Sequence, residues 1–204
     1  PEDYGRLAQQ DSWLEQYPDH PLPELYYSLY TYWKHFPITP HGKYEEIYLN
    51  KLNRAIEKSE VLLENSEENP EIIFFNFMSR MLILQYFADN KLSGELIPHL
   101  WPSYKLVVKG FDLINDLTDF NFSTGVYNYY RQYYPDAYPV YKAVAYFFPE
   151  GNSQKGLEQL EYNSGNGVLL HAESLFFLTY INLYFEKDFT KGLFYAEQLE
   201  KEFP

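Results

Sequence analysis

Four side chains with helical spacing form the strongest candidate for a binding site: Tyr127, Tyr130, Arg131 and Tyr134. Residues three and four apart lie on the same side of an α-helix, so these four would share one face. An arginine can hold a carboxylate through two parallel hydrogen bonds, while tyrosine rings supply contact area. The pattern predicts a partner-binding groove. In the alternative interpretation the tyrosines fill the core and Arg131 pairs with an internal carboxylate, for which Glu173 is the candidate.

The four residues belong to the most aromatic part of the chain, residues 120–148, in which twelve of the 29 residues are Phe or Tyr. Gly125, Pro135 and Pro139 interrupt this stretch, and such residues end or bend helices. We therefore expect two short helices around Pro135. We also expect the stretch to line the concave face of the molecule.

The net charge of −13 is distributed unevenly along the chain. Residues 70–134 carry a net charge of −1, between −7 for residues 1–69 and −5 for residues 135–204. Either the middle is more buried than its flanks, or it presents a near-neutral aromatic surface between acidic ones. A chain this acidic repels phosphate groups, so we expect no nucleic-acid partner.

Sequence patterns for catalysis and for metal binding are missing. Cysteine is absent, and none of the five histidines forms a two-histidine helix motif with a carboxylate. These histidines are His20, His35, His41, His99 and His171. The sequence also contains no nucleophile-elbow motif, no phosphate-binding glycine loop and no dinucleotide-binding motif. We therefore expect a protein that is not an enzyme and that holds no metal and no cofactor.

Three charged residues, Arg80, Arg131 and Glu173, have apolar or aromatic neighbours along the chain. A buried charge is costly unless it is paired. These residues either form internal ion pairs or lie on the floor of an aromatic groove, where they would meet a ligand.

The fold class predicted from apolar periodicity is all-α, because apolar residues recur at helical spacing and no alternation of period two is convincing. The predicted helices span residues 1–17, 22–36, 43–65, 70–88, 95–118, 153–163, 167–186 and 189–203. The helix over 95–118 is expected to break near Pro98 and Pro102. The segment NSGNG, residues 163–167, is expected to form a turn.

Two of these helices, 70–88 and 167–186, carry apolar residues on nearly all sides and are expected to be central. Their midpoints, Met78 and Phe177, are expected to be nearly fully buried. The corresponding apolar windows are too short and too polar to span a membrane.

The start of the chain leaves the cellular compartment open. No signal peptide is visible, and because the chain begins at Pro1 without a methionine, we expect a trimmed N-terminus. Both a cytoplasmic and a periplasmic location are compatible with the sequence.

The helices recur in pairs, and acidic amphipathic helices close at a proline or a turn near residues 14–18, 62–70 and 198–204. With TGVYNYY (124–130), GNSQKGLEQL (151–160) and the closing EKEFP, the chain resembles a divergent bacterial group of tetratricopeptide-like helical proteins. The resemblance covers roughly the last 140 residues and implies a right-handed superhelix of antiparallel helix pairs with a scaffolding role. It implies no catalytic residue.

The sequence therefore predicts one domain over residues 1–204, with N-terminal helices in 1–69 and the main helical array in 70–204. The predicted function is a scaffold that binds an unidentified protein or peptide on a concave aromatic face. The alternative is a small-molecule or carbohydrate binder that stacks rings on exposed tyrosines and on Trp101.

Overall fold

The structure is a computed structural model that describes residues 16–65, 68–137, 142, 146 and 148–203. The chain divides into two compact units, Pro1–Leu106 (unit 1) and Val107–Pro204 (unit 2), and each is described by itself. The prediction of a single domain stays a prediction. The helix predicted over residues 1–17 lies almost entirely outside the described residues.

The all-α prediction is confirmed, and the described residues contain no β-strand. Eight α-helices are present in them: α1 Leu22–His35, α2 Glu45–Asn65, α3 Pro70–Asp89, α4 Ser93–Leu113, α5 Phe120–Ala137, α6 Ser153–Asn166, α7 His171–Ile181 and α8 Phe189–Glu202. A short π-helical turn, Asn182–Glu186, connects α7 to the residues before α8.

Several helices begin at side chains that cap their free N–H groups. The Asn69 side chain accepts hydrogen bonds from the Glu71 and Ile72 N–H groups, at 3.1 and 3.3 Å, and Pro70 occupies the first position of α3. Asn152 and Asp188 cap α6 and α8 in the same way. These residue types are preferred at helix starts because their oxygens satisfy donors that the helix itself cannot.

In unit 1, α1, α2 and α3 pack side by side, and consecutive helices run antiparallel. Glu24 near the start of α1 meets Lys58 late in α2, at 3.0 Å between Oε1 and Nζ. Glu45 at the start of α2 accepts a hydrogen bond from the Tyr86 hydroxyl near the end of α3, at 2.7 Å. The fully buried aliphatic and aromatic residues of this unit include Tyr48, Leu52, Ala55, Ile73 and Phe74.

In unit 2, α5 and α6 pack so closely that their backbones touch at two glycines. A Cβ atom on Gly156 would lie 2.6 Å from the Tyr129 nitrogen and 2.7 Å from the Gly125 oxygen. Glycine is therefore required at this crossing because no side chain fits between the helices.

Buried polar side chains fix the register of α5 against α6. The Asn128 amide donates to Gln159 Oε1 at 2.7 Å, and the Gln159 amide donates to Thr124 Oγ1, also at 2.7 Å. All three side chains are buried, so a shift in register would leave polar groups without partners, which is costly.

The helices of unit 2 alternate in direction, so α5 and α7 run parallel to each other. The Phe122 and Phe177 rings meet edge to face at 5.2 Å between centroids, and the Tyr129 hydroxyl donates to Glu186 Oε1. From Phe122 to Tyr129 along α5, the contacted residue changes from Phe177 to Glu186, so the two elements run in the same direction. As a result, α5 and α7 contribute side chains to the same surface of unit 2.

Three predicted interruptions are absent. Helix α5 continues through Gly125 and Pro135 to Ala137, so the expected break into two short helices at Pro135 is wrong. Helix α4 runs through Pro98 and Pro102 without a break. The two prolines are four residues apart, so their rings lie on one side of the helix, and the exposed position of Pro98 lets water reach the freed carbonyl groups. Residues 163–166, predicted as a turn, form the last turn of α6, and Gly167 ends it. The Asn163 amide donates to the Leu170 oxygen and to Ser174 Oγ, which anchors that turn to α7.

The two apolar helices are less buried at their midpoints than predicted. Met78 and Phe177 are half-buried, so the prediction of nearly full burial is wrong for both. In α7 Leu178, one position further along, is fully buried, as are Leu175 and Ile181, while Phe176 on the other side is exposed. Periodicity gave no preferred face here because apolar residues occur on nearly all sides of the helix.

Candidate partner-binding surface

The four predicted site residues on α5 separate into two neighbouring pairs. The Tyr127 hydroxyl donates to the Pro149 oxygen at 2.8 Å, and Arg131 Nη2 donates to the Phe148 oxygen at 2.9 Å. Both bonds help to hold the segment that leads into α6. Arg131 also lines a polar cleft of about 390 Å³ together with Gln132, Pro135, Asp136, Glu150, Gly151 and Asn152.

The other pair, Tyr130 and Tyr134, faces α7. Their rings stack at 5.5 Å between centroids, and both contact the Phe185 ring. Tyr130 is half-buried and Tyr134 is exposed. Whether all four residues bind one partner stays a prediction.

Phe185 lies at the centre of a cluster of tyrosine rings, which we call the Phe185 cluster. Its ring centroid lies within 6.4 Å of five tyrosine rings: Tyr129, Tyr130, Tyr133, Tyr134 and Tyr180. Four of these contacts are with α5, so the cluster joins the C-terminal half of α5 to the end of α7. Aromatic pairs of this kind add to the stability gained from burial alone.

The π-helical turn explains how Phe185 reaches this position. Tyr180 contacts both Tyr184, at 4.7 Å, and Phe185, at 5.6 Å between ring centroids. In a regular α-helix a residue five positions further along points to another side, whereas a π turn brings positions i and i+5 together. The turn therefore directs Phe185 inward and keeps Tyr184 on the outer side.

A continuous row of exposed rings lies over this cluster. Phe176, Tyr180 and Tyr184 are 54%, 41% and 59% exposed and occupy successive turns of α7 and the π turn. The Phe176 and Tyr180 rings stack at 6.4 Å between centroids. We call these three residues and Tyr134 the aromatic face. Contiguous exposed apolar surface of this kind marks interaction sites.

Buried hydroxyl groups beneath the aromatic face keep their protons. Burial and the hydrogen bond to the Glu186 carboxylate raise the pKa of Tyr129, and burial among Tyr134 and Tyr180 raises that of Tyr130.

Glu173 lies at the N-terminal end of the aromatic face. The residue as a whole is exposed, so of the two alternatives for this charge the internal pair with Arg131 is wrong, and a position beside an aromatic groove stays a prediction. Its carboxyl group is nevertheless partly desolvated, which together with the nearby Asp119 raises its pKa. Within the described ranges, Glu173 forms no ion pair.

Two carboxylates that sequence reasoning did not select are buried. Asp119, just before α5, accepts hydrogen bonds from the N–H groups of Val168, Leu169 and Leu170, at 3.1, 3.0 and 2.7 Å. In unit 1, Glu24 is held by Lys51, Arg54 and Lys58 at 2.8 to 3.2 Å. Asp119 could have been selected from the sequence because it lies directly before a helix. Glu24 could not, because only contacts distant in sequence distinguish it.

The other residues considered for chemistry have structural partners. Arg80 donates to Asn76 Oδ1 and pairs with Glu60 at 2.6 Å, as internal pairing predicts. Trp101 in unit 1 is exposed and contacts Tyr104. Among the described residues, no three histidine or acidic side chains are grouped so that they could hold a metal ion.

Comparison of the chain with protein-family models, with curated proteins and with solved structures gave no match. None of the helices in the described part of the chain has the length and apolarity that a membrane crossing requires.

The exposed rings of α7 are the residues that sequence reasoning missed. Phe176, Tyr180 and Tyr184 have a spacing of four, which was available as a signal. It was hidden because the whole segment is apolar and was interpreted as a buried helix.

Proposed function

We propose that the chain is a non-catalytic interaction scaffold of the tetratricopeptide-like type, whose partner binds across the aromatic face. The alternating helix directions of unit 2 support this, because in stacked helix pairs alternate helices line one surface. In the proposed right-handed superhelix, α5 and α7 line the concave side. The non-enzyme assignment and the single domain over residues 1–204 belong to the same proposal.

The observation that carries the proposal is the exposure of four neighbouring aromatic rings. Three lie on successive turns of α7 and the π turn, and Tyr134 approaches them through Phe185. Exposed tyrosine and phenylalanine bury large areas at little entropic cost, which makes them frequent interface anchors. Arg131, which lines the polar cleft, and Tyr127, one helical turn before it on α5, stay predicted contact residues.

A carbohydrate or small-molecule binder is the second candidate. The observation in its favour is Trp101, which is 57% exposed and would allow a sugar ring to stack on it. Trp101 belongs to unit 1, whereas the residues of the aromatic face belong to unit 2.

Photo-crosslinking in the native cell tests the proposed surface. A photoreactive phenylalanine analogue would replace Tyr180 in one strain and Tyr162 in another. Tyr162 is a matched control because it is an exposed tyrosine of the same unit on α6. We expect a specific crosslinked protein from position 180 and none from position 162. Equal products from both positions, or none from position 180, would contradict the proposal.

A further inference from the structure

We propose that the segment bound by the aromatic face is a cationic peptide, whose lysine or arginine side chains lie over Phe176, Tyr180 and Tyr184. This inference rests on the proposed function and specifies the chemistry of the partner. Three independent features of unit 2 support it: no cation of the described residues lies over the three rings, the local charge is negative, and the spacing of Phe176 and Tyr180 fits an extended chain.

The ring faces of α7 have no cation of their own. In unit 1, lysine ammonium groups lie over aromatic rings at 4.9 to 5.6 Å from the centroids, including Lys51 over Tyr27 and Lys105 over Trp101. No lysine or arginine of the described segments lies over Phe176, Tyr180 or Tyr184. Aromatic faces carry partial negative charge and attract cations. A ligand can therefore supply the contact that the chain makes for itself elsewhere.

The charge around the rings favours a positive ligand. Glu173 precedes Phe176 by three residues on the same side of α7, and Asp119 lies close to its carboxylate. Lys187 follows the π turn at the other end, where it is next to Glu186. Unit 2 as a whole has 13 acidic and 7 basic side chains, a net charge of −6.

The spacing of two of the rings matches an extended peptide. The centroids of Phe176 and Tyr180 are 6.4 Å apart, close to the distance of about 6.6 Å between side chains on one side of an extended chain. The centroids of Tyr180 and Tyr184 are only 4.7 Å apart, so these two rings form one position. A ligand with a cation at every second position would therefore place one cation over Phe176 and the next over the pair Tyr180 and Tyr184, with Glu173 at one end.

The test uses a fluorescent nine-residue peptide with arginine at alternate positions and serine between them. The matched peptide has citrulline, which keeps the shape of arginine and removes its charge. Binding to the full chain is measured by fluorescence anisotropy. We expect the arginine peptide to bind at least about tenfold more tightly than the citrulline peptide.

Variants of the chain locate the binding site. We expect Tyr180→Ala, Tyr184→Ala and Glu173→Gln each to weaken binding of the arginine peptide by about fivefold or more. The controls Tyr162→Ala and Glu197→Gln change exposed residues of the same unit outside the aromatic face and should leave affinity unchanged. A melting curve for each variant identifies any loss of folding. Tyr184 is the most exposed of the three rings, so Tyr184→Ala still tests the site if Tyr180→Ala does not fold.

The outcomes separate this inference from the proposed function. Equal affinity for both peptides, with loss in the face variants, would overturn the cationic partner and leave the aromatic face as an apolar binding surface. Arginine-peptide binding that no face variant weakens would reflect general attraction to an acidic chain and would overturn the inference. Absence of binding by either peptide would also overturn it, while crosslinking from position 180 decides the proposed function independently.

Discussion

Glu24 should make the stability of unit 1 sensitive to acid. Burial alone would raise the pKa of this carboxyl group, but hydrogen bonds from Lys51 and Lys58 outweigh it and hold the pKa below its ordinary value near 4.5. A carboxyl group whose pKa is lower in the folded state binds fewer protons there than in the unfolded chain. Its contribution is therefore complete above about pH 4.5 and is lost as the pH falls through the folded-state pKa.

Glu24→Gln should lower the free energy of unfolding by about 1–3 kcal/mol at neutral pH, because charge-assisted hydrogen bonds are lost. The difference from the unchanged chain should shrink as the pH falls below 4.5. Urea unfolding at several pH values measures both effects, and Glu57→Gln, at an exposed position of α2, is the control. A difference that stays constant with pH would contradict the assignment.

Charged residues show the limit of sequence reasoning at this scale. The apolar neighbours of Arg80 correctly indicated internal pairing, because the side chain finds Asn76 on its own helix and Glu60 on α2. The same argument failed for Glu173, whose residue is exposed. Whether a helix face meets another helix depends on contacts distant in sequence, and local composition does not contain that information.

At the scale of helices, the crossing of α5 and α6 depends on the absence of a side chain at Gly156. Gly156→Ala should destabilise the chain by about 1–3 kcal/mol, because its Cβ would overlap the backbone of α5. Gly165→Ala on the same helix is the matched control, since a Cβ there meets nothing within 4 Å. The control should stabilise the chain by about 0.5–1 kcal/mol. Equal effects of the two changes in thermal unfolding would contradict this packing.

The start of α7 depends on Asp119. Asp119→Ala should cost about 2–4 kcal/mol, because three N–H groups at residues 168–170 lose their acceptor and Leu170 is buried. Asp116→Ala, at an exposed position of the same loop, should change stability by less than about 0.5 kcal/mol. Chemical denaturation of both variants measures the difference. A near-zero effect at Asp119 would show that the three N–H groups find other acceptors.

The sequence predicted which segments are helical better than the residues at which the helices begin, break or end. Six helices were predicted within a few residues because apolar spacing and capping residues act locally. Pro98, Pro102 and the 163–167 segment were misassigned for one reason. A residue that disfavours a helix does not end it when the surrounding helix accommodates that residue, as in α4. The helix also continues when a side chain such as Asn163 anchors its last turn to another helix.

At the scale of the molecule, the proposed surface combines residues that lie far apart in the sequence. Helix α5, from the aromatic stretch, contributes Tyr134, but most of the exposed rings come from α7, about 50 residues later in the chain. The parallel arrangement of α5 and α7 brings the two together. Density of aromatic residues along the sequence cannot reveal a surface that arises from two helices separated by a third.

The central claim is that a partner binds across the aromatic face, and its affinity for matched variants tests this most directly. The protein captured by crosslinking at position 180 would be purified and titrated against the unchanged chain, the double variant Tyr180→Ala/Tyr184→Ala and the control Tyr162→Ala. Because exposed aromatic anchors dominate interface energies, we expect the double variant to bind about 30-fold more weakly, or about 2 kcal/mol. The control should bind as the unchanged chain does. Equal affinity of the double variant and the unchanged chain, with both folded, would contradict the account.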